Sequence, residues 1–494
     1  MNNRIVFCGL FLFLLCSQTG IVAKERKTLT LDETIHYVRE YSASALIARH
    51  TFLTAYWRYR SYRAEFLPSL RLEGQVPSFS RRLTRYQLSD GSYKYIRENS
   101  NTFTGALSLT QRIGFTGTSI FLRSTAERHD LFGDRRTTDY VTTPVQVGLE
   151  HDFFALNSLK WKKKIEPKRY QEAQRIYLQT MEEVAQDATT HFFDLLLAQQ
   201  NLAIARLNRA NADTLYHIAK GRFNIGTIAE NDLLQMELNL LNATNAENDG
   251  EVSLQNAQFQ LITFLGLNDD YEWELIAPFP YQGDTLTFRQ ILDFAHQNNP
   301  TPLRLAIENT EAEQNVAEAQ IQRGFQANLR ASYGLTQQAQ QFPDAYRSPL
   351  DQQGVSLQIV VPILDWGQGS GRVKMARSLQ ELTRVRSQKA LHSFEQQIFL
   401  EVMRYNRQPQ LLLLASKADT IAQNRFNIAK QRFLIGKISV LDLDKAQVDR
   451  DDARIRYLEA VRTSWLTYYK LRALTLVDPR NASPLPIDIE KLLR

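Results

Sequence analysis

Residues 218–233 read IAKGRFNIGTIAENDL, and residues 428–443 read IAKQRFLIGKISVLDL. They lie 210 residues apart and agree at ten of sixteen positions. Agreement at that separation marks an internal repeat, which decides the fold before any single element does. The same offset sets VGLEHDFFALN, from Val147, against LQIVVPILDWG, from Leu357. Further upstream LTLDETI, from Leu29, matches LTFRQIL, from Leu286, while Phe66, Leu70 and Arg71 match Phe325, Leu329 and Arg330. Between these anchors the offset falls from 259 to 210, so the first half carries 49 extra residues, within about 75–145.

Each half has the order helix, strands, long helix, turn, helix. The first half spans 24–270, with strands and insert over 66–154, a long helix over 158–224 and a returning helix over 228–265. The second spans 285–476, with strands over 326–364 and helices over 368–434 and 439–475. A linker covers 271–284 and a tail 477–494.

Positions 177, 181, 184, 188, 191, 195, 198, 202 and 205 are apolar except His191. Steps alternating four and three over four heptads are a coiled-coil seam. The matching seam, Ser387 to Ala415, is weaker, and Pro409 within it predicts a kink or break. Residues 160–224 would span about 95 Å at 1.5 Å per residue, too long for a globular core and suited to a pillar or tunnel. Gly226 and Gly436 fit the left-handed position that ends a helix. Thr227 with Glu230, and Ser439 with Asp442, have capping-box spacing.

FLPSLRLEGQVPSFS, TFTGALSLTQRI, TSIFLRST, PVQVGLEHDFF, ANLRASYGLTQQ and GVSLQIVVPIL alternate partly between apolar and polar. Aromatic residues gather near their ends, as in outer-membrane strands. The N-terminus supplies Arg4, an apolar run from Ile5 to Leu15 and a cleavage position at Ala23, a secretory signal over 1–23. Both cysteines, Cys8 and Cys16, lie inside it, and Leu15 stands where a lipobox wants a small residue. The mature chain would have no disulfide, cysteine metal site or thiol nucleophile. A mean hydropathy of −0.36 argues against a bundle of membrane helices. A net charge of +6 without one-signed blocks argues against nucleic-acid binding.

The tip sequences, FLPSL before the first strand and VVPILDWGQGSGRVKMA after the last together resemble the TolC family of outer-membrane efflux proteins, over nearly the whole mature chain. The resemblance implies an α+β membrane protein, with a long coiled-coil α-helical barrel and a transmembrane β-barrel shared between three subunits. Each subunit would give four strands, and twelve would close the barrel. The implied setting is the outer membrane of a Gram-negative bacterium, in contact with its lipid and with the helices in the periplasm. The implied role is a passive conduit of a tripartite efflux or type I export system, with a periplasmic adaptor and an inner-membrane transporter as partners. The extra residues predict added strands or a long surface loop.

On this reading the tips, Arg222, Phe223, Ile225, Gly226 and Arg432, Phe433, Ile435, Gly436, dock the adaptor, with Phe and Ile facing solvent. Glu230, Asp232, Asp442 and Asp444 ring the channel entrance. Trp161 with Lys162 and Lys163, and Trp366 in the second half, anchor the membrane interface. Glu182 and Glu183 read as a solvated face. His191 with Asp194 is a helical i, i+3 pair without a nucleophile beside it. No Walker loop, G-x-S-x-G, dinucleotide fingerprint or metal spacing occurs, so neither an enzyme nor a cofactor is expected. A periplasmic adaptor without a pore and an envelope hydrolase on a helical scaffold are the alternative readings.

Overall fold

The computed structural model describes residues 25–132, 136–267, 271–281 and 283–493. The predicted signal segment, with Cys8 and Cys16, lies outside the described residues. The chain opens with strand β1 (Glu25–Leu29) and helices α1 (Leu31–Tyr41) and α2 (Ala43–Ala64). Strands β2 (Ser69–Gln87), β3 (Tyr93–Arg112), β4 (Ser119–Leu131) and β5 (Thr137–Phe153) follow, then helices α3 (Ser158–Asn224) and α4 (Glu230–Leu265). After β6 (Tyr271–Leu275) come α5 (Phe288–Asn298), α6 (Pro300–Arg323), β7 (Gln326–Ala339), β8 (Leu350–Val360), α7 (Gln368–Leu434) and α8 (Val440–Thr475). The protein is α+β, with long helices and one large sheet. Helices α3 and α7 have 67 residues each, and α4 and α8 have 36 each. Each pair starts and stops 210 residues apart (158 to 368, 224 to 434, 230 to 440, 265 to 475).

Backbone contacts divide the chain into two units that cut across the sequence halves. One gathers the chain up to Ala43, Ala185–Tyr281 and Leu411–Trp465; the other gathers Ser44–Val184, Gln282–Gln410 and Leu466–Arg494. In the first unit β1 pairs in parallel with β6, Leu29 opposite Leu275. Thr30 and Glu33 form a reciprocal capping box that starts α1. The side chains of Phe192, Phe193, Leu195, Leu196, Leu261 and Leu265 are fully buried there.

The second unit contains the sheet, with strand order β2-β3-β4-β5-β7-β8 and every neighbour antiparallel. This corrects the four strands implied by the resemblance: the chain contributes six. The extra residues of the first half are therefore strands of the same sheet. One row crosses all six strands as Leu70, Leu109, Leu122, Val147, Tyr333 and Gln353. The next row, on the opposite face, is Arg71, Ser108, Arg123, Gln146, Gly334 and Gln352. Side chains alternate faces along a strand, so the sheet has one largely apolar face and one largely polar face. The outer strands are open: β8 is exposed along its whole length and β2 along nearly all of it.

Two expectations about the helices change. Helix α7 runs through Pro409 without a break. Gln408 and Leu412 beside it are buried, and packing of the flanking turns outweighs the roughly 3 kcal/mol that an interior proline costs. Glu182 is not on a solvated face. It is buried, with Arg472 Nε at 2.7 Å from its carboxylate. Arg472 also reaches Asp478 at 3.1 Å and the Tyr468 hydroxyl at 2.8 Å. Burial alone would lower the pKa of Arg472, but Glu182 and Tyr468 together more than offset it, and the pKa is raised.

Candidate functional site

The functional residues expected at the tips fall in the first unit, where α3 turns into α4 and α7 turns into α8. Both long helices close in the same way. The Gly226 N–H donates to the Phe223 carbonyl at 2.8 Å and the Thr227 N–H to the Arg222 carbonyl at 3.0 Å. Gly436 and Lys437 repeat this on Phe433 and Arg432, both at 2.9 Å. The glycines have φ of +74° and +75°, the left-handed position of a Schellman closure. A Cβ on either glycine would meet nothing within 4 Å. The requirement for glycine is thus one of backbone conformation, and the turns face open space.

The returning helices begin differently. Ser439 accepts from the Asp442 N–H at 3.2 Å, and Asp442 accepts from the Ser439 hydroxyl at 2.7 Å. The expected pair Thr227–Glu230 does not form. Helix α4 starts at Glu230, and its N-cap, Ala229, makes no side-chain bond. At the offset of 210, Ala229 is the counterpart of Ser439 and lacks the hydroxyl. Thr227 Oγ1 instead donates to the Arg222 carbonyl at 2.9 Å.

The two tips clasp each other. Arg222 Nη2 donates to the Leu434 carbonyl at 2.8 Å, one of the acceptors that a helix C-terminus leaves open. Its guanidinium also lies 5.8 Å from the centre of the Phe433 ring. Phe433 is buried with Leu215, Met236, Phe426 and Leu443, which corrects its expected place facing solvent. Phe223, Ile225 and Ile435 are exposed, the two isoleucines at 74% and 66%. The same five-residue motif thus serves in two ways: Arg222 and Phe433 hold the tips together, while their counterparts Arg432 and Phe223 face outward. A cleft of about 510 Å³ lies between the tips, bordered by Arg222, Ile225, Asp232, Phe433 and Ile438.

The four entrance carboxylates have different surroundings. Glu230 is exposed, Asp232 is half-buried at the cleft and Asp442 is engaged in its cap. Asp444 is half-buried and accepts from Asn239 Nδ2 at 2.9 Å. Burial raises its pKa, and the bond from Asn239 opposes the rise. Lys445, which could have offset this charge, pairs with Asp449 at 2.8 Å.

A network next to the tips escapes a motif search. Arg450 is buried, donates to Asn208 Oδ1 and Asp451 Oδ1 at 2.8 Å, and covers the Phe426 ring at 4.1 Å. Its partner Asn208 is 242 residues away in the chain, so only the fold brings them together. His191 packs on the Phe264 ring, and Asp194 pairs with Arg462 at 2.9 Å; neither is poised for catalysis. Among the described residues no group of three His, Cys, Asp or Glu could hold a metal ion, and no helix is long and apolar enough to cross a membrane.

In the second unit, Lys164 Nζ lies 4.8 Å from the centre of the Trp161 ring. Lys162 is held by Glu65 at 2.7 Å, while Lys163 is exposed. Trp366 is 90% exposed between β8 and α7, beside Asp365, whose carboxylate accepts from the Gly367 and Gly369 N–H groups.

The family model described as outer membrane efflux protein matches residues 117–267 and 291–475. The chain belongs to the outer membrane efflux protein family. Solved structures agree at the level of the fold. The CmeC outer membrane channel of Campylobacter jejuni is 15% identical with a TM-score of 0.65, covering 94% of this chain and 88% of that one. The outer membrane protein VceC of Vibrio cholerae is 15% identical with a TM-score of 0.62, covering 90% and 96%. The MtrE outer membrane channel of Neisseria gonorrhoeae, in its open state, is 14% identical with a TM-score of 0.62, covering 90% and 88%. No curated protein sequence matches the chain.

Proposed function

We propose that three copies of this chain form the outer-membrane channel of a tripartite exporter, a passive conduit that a periplasmic adaptor docks and an inner-membrane transporter drives. The observation that carries this reading is the sheet, with one apolar face and two open edges. Unpaired strand edges cannot face lipid, because each orphaned backbone group costs several kcal/mol there. In a six-stranded antiparallel meander the first and last strands run in opposite directions, so β8 of one copy can pair with β2 of the next. Head-to-tail pairing of this kind closes into a ring when the rotation from copy to copy is one third of a turn. Fractionation tests the reading: the protein is expected in the outer membrane as a detergent-requiring trimer that dissociates on heating. A soluble periplasmic monomer would contradict it.

The outward-facing tip residues fit the same assembly. Arg432 of one copy can take Phe223 of the next as Arg222 takes Phe433 within a copy, so one clasp would repeat around the mouth. Ile225, Ile435 and the two glycine turns remain as the surface for the adaptor. Arg432→Ala is expected to raise the resting conductance of the trimer in planar bilayers, and an unchanged value would remove Arg432 from the closure.

Glu230, Asp232 and Asp442, in three copies, would place negative charge at a narrow opening, where low-dielectric walls focus the field and concentrate cations. The channel is expected to prefer cations although the whole chain carries +6. Asp232→Asn with Asp442→Asn should move the reversal potential in a salt gradient towards that of an unselective pore. Anion preference in the unaltered protein would mean that these groups face away from the lumen.

A further inference from the structure

The second and third strands of the sheet are the part that the family resemblance does not supply. Phe66, Leu70 and Arg71 align β2 with β7, and Val147 with Leu357 aligns β5 with β8. Strands β3 and β4 are therefore the addition. They could stand in the membrane wall or hang beside it in water, and the two positions demand different side chains. A hairpin in water has no reason to keep one face dry in step with its neighbours.

The rows decide between them. Leu109 of β3 and Leu122 of β4 sit between Leu70 and Val147, all on one face and all exposed. In the adjacent row of that face Gln111 of β3 meets Ile120, which continues to Leu149, Ala331 and Val355. On the other face Ser108 and Arg123 lie between Arg71 and Gln146. The apolar band and the polar lining therefore pass through β3 and β4, with Gln111 and Ser124 on the apolar face and Phe121 on the polar face as exceptions, largely as apolar-out, polar-in barrel strands require.

The turns agree. The β3–β4 turn is short, residues 113–118, and it is fastened at the helical end of the sheet. Asn157 Nδ2 donates to the Gly114 and Phe115 carbonyls at 3.0 and 3.1 Å, and Gln111 Nε2 to the Phe66 carbonyl at 2.8 Å. At the other end β2 and β3 run on together to Gln87 and Tyr93, beyond Ser100, where β4 stops pairing. Short turns on the periplasmic side and longer projections on the outer side are the habit of outer-membrane barrels.

We propose that β3 and β4 are staves of the membrane wall, so that three copies close a barrel of eighteen strands instead of twelve. This rests on the trimeric-channel reading. With strands about 4.8 Å apart and tilted by about 40°, eighteen strands enclose a backbone diameter of about 36 Å, against about 24 Å for twelve. The outlet then stops being a narrow part of the path. The size limit on cargo passes to the helix tips, and the barrel suits solutes too bulky for a twelve-stranded mouth.

The chain has cysteine only at positions 8 and 16, so single introduced cysteines report cleanly once the signal segment is removed. Spin labels at L109C and L122C, and at S108C and R123C, are compared in lipid vesicles for collision with oxygen, which concentrates in lipid, and with a water-soluble nickel chelate. L357C and S356C on β8 are the controls. The expected result is oxygen preference at 109, 122 and 357, and nickel preference at 108, 123 and 356. Nickel preference at all four β3 and β4 sites, with the controls still alternating, would put the hairpin outside the wall and overturn the proposal alone. Loss of alternation at the controls as well would overturn the membrane-channel reading on which it rests. A top-view electron micrograph gives a second reading, a ring near 36 Å supporting the proposal and one near 24 Å refuting it.

Discussion

Replacing Gly226 and Gly436 together by valine is expected to abolish export while leaving the trimer and its membrane location intact. Both glycines hold the left-handed conformation, at φ of +74° and +75°. A residue with a Cβ loses roughly 1–2 kcal/mol there, and a β-branched one is a genuine outlier. The helix ends would re-form around another turn, moving Ile225 and Ile435 from the positions proposed for docking. The fold should survive, because nothing packs within 4 Å of either Cβ position and the cluster around Phe433 lies behind the turn. Asparagine separates the two ways a substitution can act. It tolerates the left-handed region but adds bulk to the open face. Loss of export with valine alone assigns the effect to the backbone; loss with asparagine too assigns it to the docking face. Undiminished export in the double valine variant would remove the tips from the docking surface.

The second large effect is one of stability. Arg472→Met should remove the guanidinium that lies 2.7 Å from the buried Glu182 carboxylate, and removing one partner of a buried pair costs about 3–5 kcal/mol. The expected readout is a clear fall in the guanidinium midpoint of the detergent-solubilised protein. Replacing Glu182 by leucine in the same chain should recover most of the loss, because an apolar pair of similar volume is often neutral or better. No recovery would mean that Arg472 acts mainly through Tyr468 and Asp478. Burial pushes the Tyr468 hydroxyl up to about 12, against the opposing pull of Arg472. The stabilisation from that raised pKa is complete below the unfolded value near 10 and is lost as pH rises through about 12. The contribution of Tyr468 to the midpoint should therefore be flat through neutral pH.

Local chemistry explains what could be foreseen. The Arg-Phe-x-Ile-Gly turns were legible because a left-handed helix end needs glycine, whatever surrounds it. The strands were legible as segments, because alternation is local. Their number per subunit was not, because a family resemblance supplies the count its other members use, and TFTGALSLTQRI and TSIFLRST look the same inside or outside a shared sheet. Glu182 was misread because its partner stands 290 residues away. Phe223 and Phe433 carry one motif and end in opposite environments, because only one of them meets an arginine from the other tip. At Ala229 a single missing hydroxyl removed a cap that Ser439 keeps. Pro409 shows the reverse relation, with tertiary packing overriding a strong local preference.

In the proposed channel the sheet edges join three copies around one water-filled path. Single-channel recording from detergent-purified protein, at a native mass of three chains, tests it most directly. Discrete, long-lived current steps across a planar bilayer are expected, shifting in ion preference with substitution of Asp232 and Asp442. A stable species of one chain that inserts without passing current would contradict it.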